Sequence, residues 1–194
     1  HRYIVEDDYD SEFRYKGKPI PALQGYDSHG KVIYIGTFSK SIAPAIRVSY
    51  LVLPETLLRL YEERGTAFSS TVSRVDQRIV AGFLKEGYYE RHLNKMRAVY
   101  KSRHDVLLDG LKEIPDIEVS GENAGVHLLV RFRNGKTEAE ACAQAKQAGI
   151  HVYGLSDYYV REKEETYTVI LGYANLKEEA IREAVGLLKD VWKK

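Results

Sequence analysis

The sequence is poor in several features that mark particular classes of protein. Its one cysteine, Cys142, excludes an internal disulfide framework and is compatible with a reducing cytoplasm. Neither sign of charge dominates, since 29 Lys and Arg stand against 28 Asp and Glu, so the basic footprint of a nucleic-acid-binding chain is missing. No apolar run approaches the roughly 20 residues of a membrane helix, and no signal peptide is visible. We therefore expect a cytoplasmic protein that is not embedded in a membrane.

The chain begins at His1 without an initiator methionine, and its first residues already read as a strand. We expect a fragment of a longer protein. Its 194 residues, 44% of them hydrophobic, suffice for one or two domains with a buried core.

Three short apolar runs near the start predict strands: Tyr3–Val5, Val32–Ile35 and Val48–Leu53. Because these runs are continuous rather than alternating, we predict buried strands of a parallel α/β sheet, covered on both faces. The periodicity and the Pro and Gly positions then predict helices from Glu55 to about Arg64, from Thr71 to about Gly87 and from Tyr88 to about Ile114.

The second half of the chain has the pattern of a smaller α+β unit. We predict strands at 117–119, 126–132 and 168–171, and helices at 137–148 and 177–192. Thr137 and Glu140 have the spacing of a capping box. The fold class is therefore α/β, with residues 1–90 as the C-terminal part of a large domain and residues 91–194 as a small α+β domain.

The residues that can carry chemistry cluster around Lys40, which follows the second predicted strand among several hydroxyls. Lysine amines act as Schiff-base nucleophiles when they are buried or lie near another cation. The hydroxyls of Thr37 and Ser39 and the guanidinium of Arg47 could bind a phosphate. A solvated loop lysine and a surface arginine are the alternative interpretation.

An acidic residue, Asp7, ends the first predicted strand 33 residues before Lys40 (40 − 7 = 33). Ligands of such sheets lie beyond the carboxyl ends of the strands. Asp7 could there pair with the pyridinium nitrogen of pyridoxal 5'-phosphate (PLP), while Tyr9 hydrogen-bonds the ring oxygen. A solvated acidic loop or a metal site is the alternative, although the spacing of a calcium loop is missing.

Two of these segments resemble a matched pair of motifs in MocR-type regulators, a branch of the GntR family. They are Val5–Phe13, VEDDYDSEF, and Val32–Lys40, VIYIGTFSK. Proteins of this branch join an N-terminal winged helix-turn-helix to a fold-type-I, aspartate-aminotransferase-like domain. The resemblance continues over essentially the whole chain, through Arg47–Pro54, His92–Arg97, Ala124–His127 and Leu171–Ala174.

The resemblance implies that Lys40 holds PLP as an aldimine, with Asp7 at the pyridine nitrogen, Tyr9 at the ring oxygen and Arg47 at the phosphate. It implies an effector-sensing and dimerisation domain of a transcriptional regulator, forming a homodimer. The effector would be an amine, an amino acid or PLP itself. DNA would be reached only through a helix-turn-helix domain absent from this chain.

Two other functions stay open. In a catalytic aminotransferase, Lys40 would also be the general acid and base. Against this, Asn175 stands where aminotransferases, and the better-known members of the MocR branch, carry the arginine that clamps the substrate carboxylate. We expect Arg131, Arg133 and Arg161 to be solvated charges. The third possibility is a structural domain that has lost its cofactor, and the residues retained around Lys40 argue against it.

Other reactive residues give weaker signals. The histidines do not show the spacing of metal ligands, and we predict no metal site. We expect His104 to lie on a solvated helix face and Cys142 to be a small core residue.

Overall fold

The computed structural model describes residues 2–65, 67–160 and 166–193. It divides into two compact units: His1–Glu12 with Lys18–Met96, and Phe13–Gly17 with Arg97–Lys194. The domain extents expected from the sequence, 1–90 and 91–194, stay a prediction. Within the described residues, no helix combines the length and apolar character that a membrane crossing requires.

The first unit contains a three-stranded sheet in the order β1-β2-β3, formed by Ile4–Asp8, Val32–Thr37 and Ser49–Val52. β1 and β2 are parallel, with Asp7 beside Ile35, but β2 and β3 are antiparallel. The expectation of a wholly parallel sheet is therefore wrong for β3. A parallel return needs a long crossover, usually a helix, whereas β2 and β3 are joined by a short link that holds only the 3-10 turn Pro44–Ile46.

The outer strands of this sheet expose their apolar side chains. Ile4 and Val5 of β1 are 52% and 59% exposed, and Leu51 of β3 is 57% exposed. The prediction that both faces of the sheet are covered is thus wrong for the described residues. The apolar runs located the strands, but the described chain does not cover them.

Three helices follow the sheet: α1, Glu55–Gly65; α2, Arg74–Lys85; and α3, Tyr88–Leu111. α2 begins later than predicted because the Ser73 side chain caps it, accepting from the backbone N–H groups of Val75 and Asp76. Gly87, with φ of +70°, makes the turn between α2 and α3.

The second unit has four strands: β4, Ile117–Ser120; β5, His127–Phe132; β6, Tyr153–Gly154; and β7, Thr168–Gly172. They form an antiparallel sheet in the order β4-β5-β7-β6. The other helices of this unit are α4, Glu138–Gln147, and α5, Glu178–Trp192. The capping box of Thr137 and Glu140 is present as predicted. β6 was not predicted, because two residues are too short to show a pattern.

The core of the second unit lies between its sheet and helices, and its largest fully buried side chain is Trp192. The indole Nε1 of Trp192 donates to the Ala141 carbonyl at 3.1 Å. Cys142 is half-buried against this core, as expected, and burial raises the pKa of its thiol.

The prediction for His104 is wrong, since this residue is completely buried. Its ring lies between Tyr15 and Tyr173, with ring centroids 5.1 and 5.8 Å away. Helical spacing explains the burial, because His104 lies one turn from Tyr100 and one turn from Leu108, on the face that packs into the core.

Candidate functional site

The acidic run at the end of β1 divides between the two faces of the strand. Glu6 accepts hydrogen bonds from the backbone N–H groups of Leu23 and Gln24, at 2.8 and 3.0 Å. Since side chains alternate along a strand, Glu6 and Asp8 share one face and Asp7 lies on the other.

Asp8 is committed to structure. One carboxylate oxygen accepts from Tyr34 Oη and Ser11 Oγ, both at 2.7 Å, and the other accepts from the Ser11 backbone N–H at 3.2 Å. Burial of Tyr34, with the hydrogen bond to Asp8, raises the pKa of its phenol strongly. Asp8 therefore fastens the end of β1 to β2.

Asp7 is exposed, and no described residue forms a hydrogen bond or ion pair with its carboxylate. Tyr9, two residues on, is 42% exposed. Burial raises the pKa of the Tyr9 phenol, and the charges of Asp10 and Asp7 raise it further. The Tyr9 phenol is thus neutral and can donate a hydrogen bond. It lies near Asp7, whose carboxylate, unlike those of Glu6 and Asp8, accepts no hydrogen bond from a described residue.

Lys40 lies in the turn that follows β2. The Ile42 N–H donates to the Phe38 carbonyl at 2.8 Å and closes this turn. Within it, Thr37 Oγ1 accepts from the Ser39 N–H at 3.1 Å. Since Asp7 is in register with Ile35, five residues before Lys40 (40 − 35 = 5), the parallel pairing brings Asp7 and the Lys40 turn to the same edge of the sheet. Lys40 itself is exposed.

Arg47 directly follows the 3-10 turn and has φ of 50° and ψ of 34°. This left-handed backbone costs a residue other than glycine roughly 1–2 kcal/mol, and such conformations gather at functional sites. The next residue, Val48, accepts hydrogen bonds from the Phe38 N–H at 3.0 Å and from Thr37 Oγ1 at 3.3 Å. The Arg47 backbone is therefore tied to the Lys40 turn, and its side chain is exposed.

Two further features support the turn and were not predicted. Gly36 allows the Tyr50 ring to approach, since a Cβ built on Gly36 would lie 2.3 Å from the Tyr50 Cζ atom. Behind Lys40, the buried Ser41 lies beside Tyr89, whose Oη donates to a Glu12 carboxylate oxygen at 3.3 Å. No sequence signal joins these residues, because Tyr89 lies far along the chain from both.

The donor groups at this edge match the groups of PLP. Asp7 could hold a protonated ring nitrogen and Tyr9 could donate to the ring oxygen. Lys40 offers an amine, Ser39 and Arg47 offer phosphate donors, and Thr37 can donate as well once its hydroxyl turns from the Val48 carbonyl. Across the part of the chain that the structure describes, no three His, Cys, Asp or Glu residues converge as metal ligands.

The turn after β7 lacks the arginine of a carboxylate clamp, and Asn175 is exposed there. The carbonyl of its neighbour, Ala174, accepts a hydrogen bond from Arg103 Nη1 of α3. Arg133 is paired with Glu118 at 3.0 Å. Arg131 is exposed, and Arg161 lies outside the described residues.

Residues 3–188 match the family of class I and II aminotransferases, and the chain belongs to this family. Its fold is that of the solved multiple substrate aminotransferase from Thermococcus profundus, with a TM-score of 0.88, 30% identity, and coverage of 98% of this chain and 48% of that one. The α-aminoadipate aminotransferase LysN from Thermus thermophilus, solved as a complex with N-(5'-phosphopyridoxyl)-L-leucine, gives a TM-score of 0.84 at 26% identity, over 98% of this chain and 50% of that one. The predicted aspartate-aminotransferase-like fold class is confirmed.

Relatives by sequence include transcriptional regulators. The HTH-type regulator YhdI of Bacillus subtilis is 40% identical over 98% of this chain and 41% of its own length. The probable rhizopine catabolism regulatory protein MocR of Rhizobium meliloti is 32% identical over 98% of this chain and 39% of its own length. The resemblance to MocR-type regulators is confirmed, and the chain spans about two fifths of the length of these relatives.

Proposed function

We propose that this chain is the PLP-binding, effector-sensing and dimerisation domain of a MocR-type transcriptional regulator, with the cofactor attached to Lys40. One observation carries the proposal: Asp7 has no partner among the described residues and lies in register with the strand whose turn bears Lys40. The similarity to HTH-type regulators supports the regulatory role.

Each residue has a separate part in this site. When bound, PLP supplies a carbonyl that accepts amines and a ring that withdraws electrons. Asp7 keeps a proton on the ring nitrogen, and Tyr9 donates a hydrogen bond to the ring oxygen. Arg47 and Ser39 bind the phosphate, because a guanidinium and a hydroxyl match its oxygens. Thr37 joins them by turning its hydroxyl from the Val48 carbonyl to the phosphate.

The sensed ligand is an amine, an amino acid or PLP itself. Asn175 can donate a neutral hydrogen bond but has neither the charge nor the fork that recognises a carboxylate. This favours an amine without a carboxylate, or PLP, over an ordinary amino acid. The signal would reach DNA in the cytoplasm through a helix-turn-helix domain outside this chain, in a homodimer.

The alternative is a catalytic aminotransferase. It is favoured by the solved relatives, which are aminotransferases at up to 30% identity. Asn175 weighs against it, since substrates of that reaction carry a carboxylate at both the amino-acid and keto-acid stages.

One experiment separates the two functions in the full-length protein loaded with PLP. Amines and amino acids are added with and without a keto acid, and both the absorbance of the cofactor and the product are followed. A sensor changes its spectrum and forms no more than one product per subunit. Many turnovers with an amino-acid and keto-acid pair would overturn the proposal in favour of the enzyme.

A further inference from the structure

An unpaired hydroxyl lies directly behind the proposed cofactor lysine. Ser41 is 1% exposed, and its Oγ has no hydrogen-bond partner among the described residues. Buried polar atoms are nearly always paired, so an exception beside a functional residue calls for a specific cause.

The side chain beside this hydroxyl is Tyr89, in the first turn of α3. Burial raises the pKa of the Tyr89 phenol, and the charge of Glu12 raises it further, while the nearby Ser41 hydroxyl lowers it by less than burial raises it. The phenol therefore stays neutral and donates its proton to Glu12 at 3.3 Å. The Ser41 hydroxyl lies beside the phenol in a contact that falls short of hydrogen-bond geometry.

The ring of Tyr89 is held in place by two other rings. It packs edge-to-face against Phe38, with centroids 6.1 Å apart, and against Phe83 of α2, with centroids 6.5 Å apart. Phe38 precedes Lys40 by two residues and Ser41 follows it, so one side chain contacts the Lys40 turn on both sides of the lysine.

We infer that Tyr89 is a positioning residue for Lys40, an inference that rests on the proposed function. The ring braces Phe38, and the hydroxyl lies between Ser41 and Glu12. Together they hold residues 38–41 in the one arrangement that directs the lysine amine along the edge where Asp7 lies. Tyr89 acts through the turn and does not bind the cofactor.

The test compares Tyr89→Phe, which keeps the ring and removes the hydroxyl, with the wild type in the full-length protein. Without cofactor, we expect amide hydrogen exchange of residues 38–42 to accelerate about tenfold, because the hydroxyl that lies between Ser41 and Glu12 is lost. With PLP, we expect covalent attachment to Lys40 to slow about tenfold, which corresponds to roughly 1.4 kcal/mol. In a Lys40→Ala background, noncovalent PLP affinity should change less than about threefold, since the phosphate donors are untouched.

Tyr88→Phe is the matched control, because this neighbour is 48% exposed and its ring stacks on Phe83, whereas the ring contact with Phe38 is made by Tyr89. It should leave both rates within about twofold of the wild type. Ser41→Ala removes the other side of the contact. If Tyr89 acts through Ser41, Tyr89→Phe has no further effect in that background, as expected for coupled residues.

Unchanged exchange and attachment in Tyr89→Phe would overturn the inference. Independent, multiplying effects of Tyr89→Phe and Ser41→Ala would overturn it as well. A wild-type protein that attaches no PLP would instead contradict the proposed function, and the exchange measurement would still decide whether Tyr89 holds the turn.

Discussion

Arg47 gives a prediction in which stability and cofactor binding change in opposite directions. Its left-handed backbone, with φ of 50°, costs roughly 1–2 kcal/mol that glycine does not incur. Glycine also adds unfolded-chain entropy, which costs about 0.4–1 kcal/mol. The middle of each range leaves Arg47→Gly more stable than the wild type by about 0.8 kcal/mol, whereas glycine in an ordinary backbone conformation destabilises.

The same substitution removes the guanidinium proposed to bind the phosphate. A hydrogen bond to a charged group contributes about 1.5–3 kcal/mol, so PLP affinity should fall roughly 10- to 100-fold. Urea unfolding of the cofactor-free protein measures the first effect, and PLP titration measures the second.

Two variants separate the causes. Arg47→Ala removes the same guanidinium and keeps the left-handed backbone, so it should lose affinity without gaining stability. Asp116→Gly changes the other described non-glycine residue with positive φ, 56°, and should gain stability without losing PLP affinity. The reasoning is refuted if Arg47→Gly is no more stable than Arg47→Ala, or if both bind PLP as the wild type does.

Three further predictions use neighbouring or paired positions. Asp7→Asn should weaken PLP binding roughly 10- to 100-fold and leave the circular dichroism spectrum unchanged. Asp8→Asn should mainly lower the urea midpoint of unfolding, because the Asp8 carboxylate accepts hydrogen bonds from Ser11 and Tyr34. Equal effects of the two variants on PLP binding would contradict this assignment. Gly110→Ala should destabilise the fold by about 1–3 kcal/mol, since its Cβ would lie 2.6 Å from Val185 Cγ1. Gly186→Ala, whose Cβ would meet no atom within 4 Å, should stabilise the fold by about 0.8–1 kcal/mol. If thermal unfolding shows that both variants change stability in the same direction, the packing around Gly110 is refuted. Burial raises the pKa of Glu138, but hydrogen bonds from Ser156 and Thr166 outweigh burial and lower it below 4.5, so its stabilisation is present at neutral pH and lost as the pH falls through the folded value. Glu138→Gln should therefore lose stability at pH 7 and decline less steeply in acid, and a parallel pH profile would contradict the assignment.

The location of the candidate site was predictable from the sequence, because short apolar runs mark the strands and ligands of such sheets lie beyond the carboxyl ends of the strands. The apolar runs located β1 and β2, and the parallel pairing then brought Asp7 and the Lys40 turn to one edge. The sequence did not show which acidic residues of this run form hydrogen bonds within the protein and which one does not. It depends on Leu23, Gln24 and Tyr34, whose contacts with Glu6 and Asp8 arise only in the folded chain.

The errors in the fold have a similar origin. A continuous apolar run indicates a strand but specifies neither its direction nor what covers it, so β3 was given the wrong orientation and the sheet too much burial. His104 was expected to be exposed because histidine is polar, although helical spacing places it on the same face of α3 as Tyr100 and Leu108. Helical periodicity predicts its burial better than residue type does, because that face of the helix packs into the core.

The most direct test of the proposed function is to identify the residue that holds the cofactor. Full-length protein is incubated with PLP and reduced with borohydride, and the peptides are sequenced by mass spectrometry. Lys40→Ala is the test variant, and Lys31→Ala, at the lysine that directly precedes β2, is the control. We expect the phosphopyridoxyl mass on Lys40 in the wild type and in Lys31→Ala, and its loss in Lys40→Ala. Label on another lysine, or label that persists in Lys40→Ala, would contradict the assignment of Lys40.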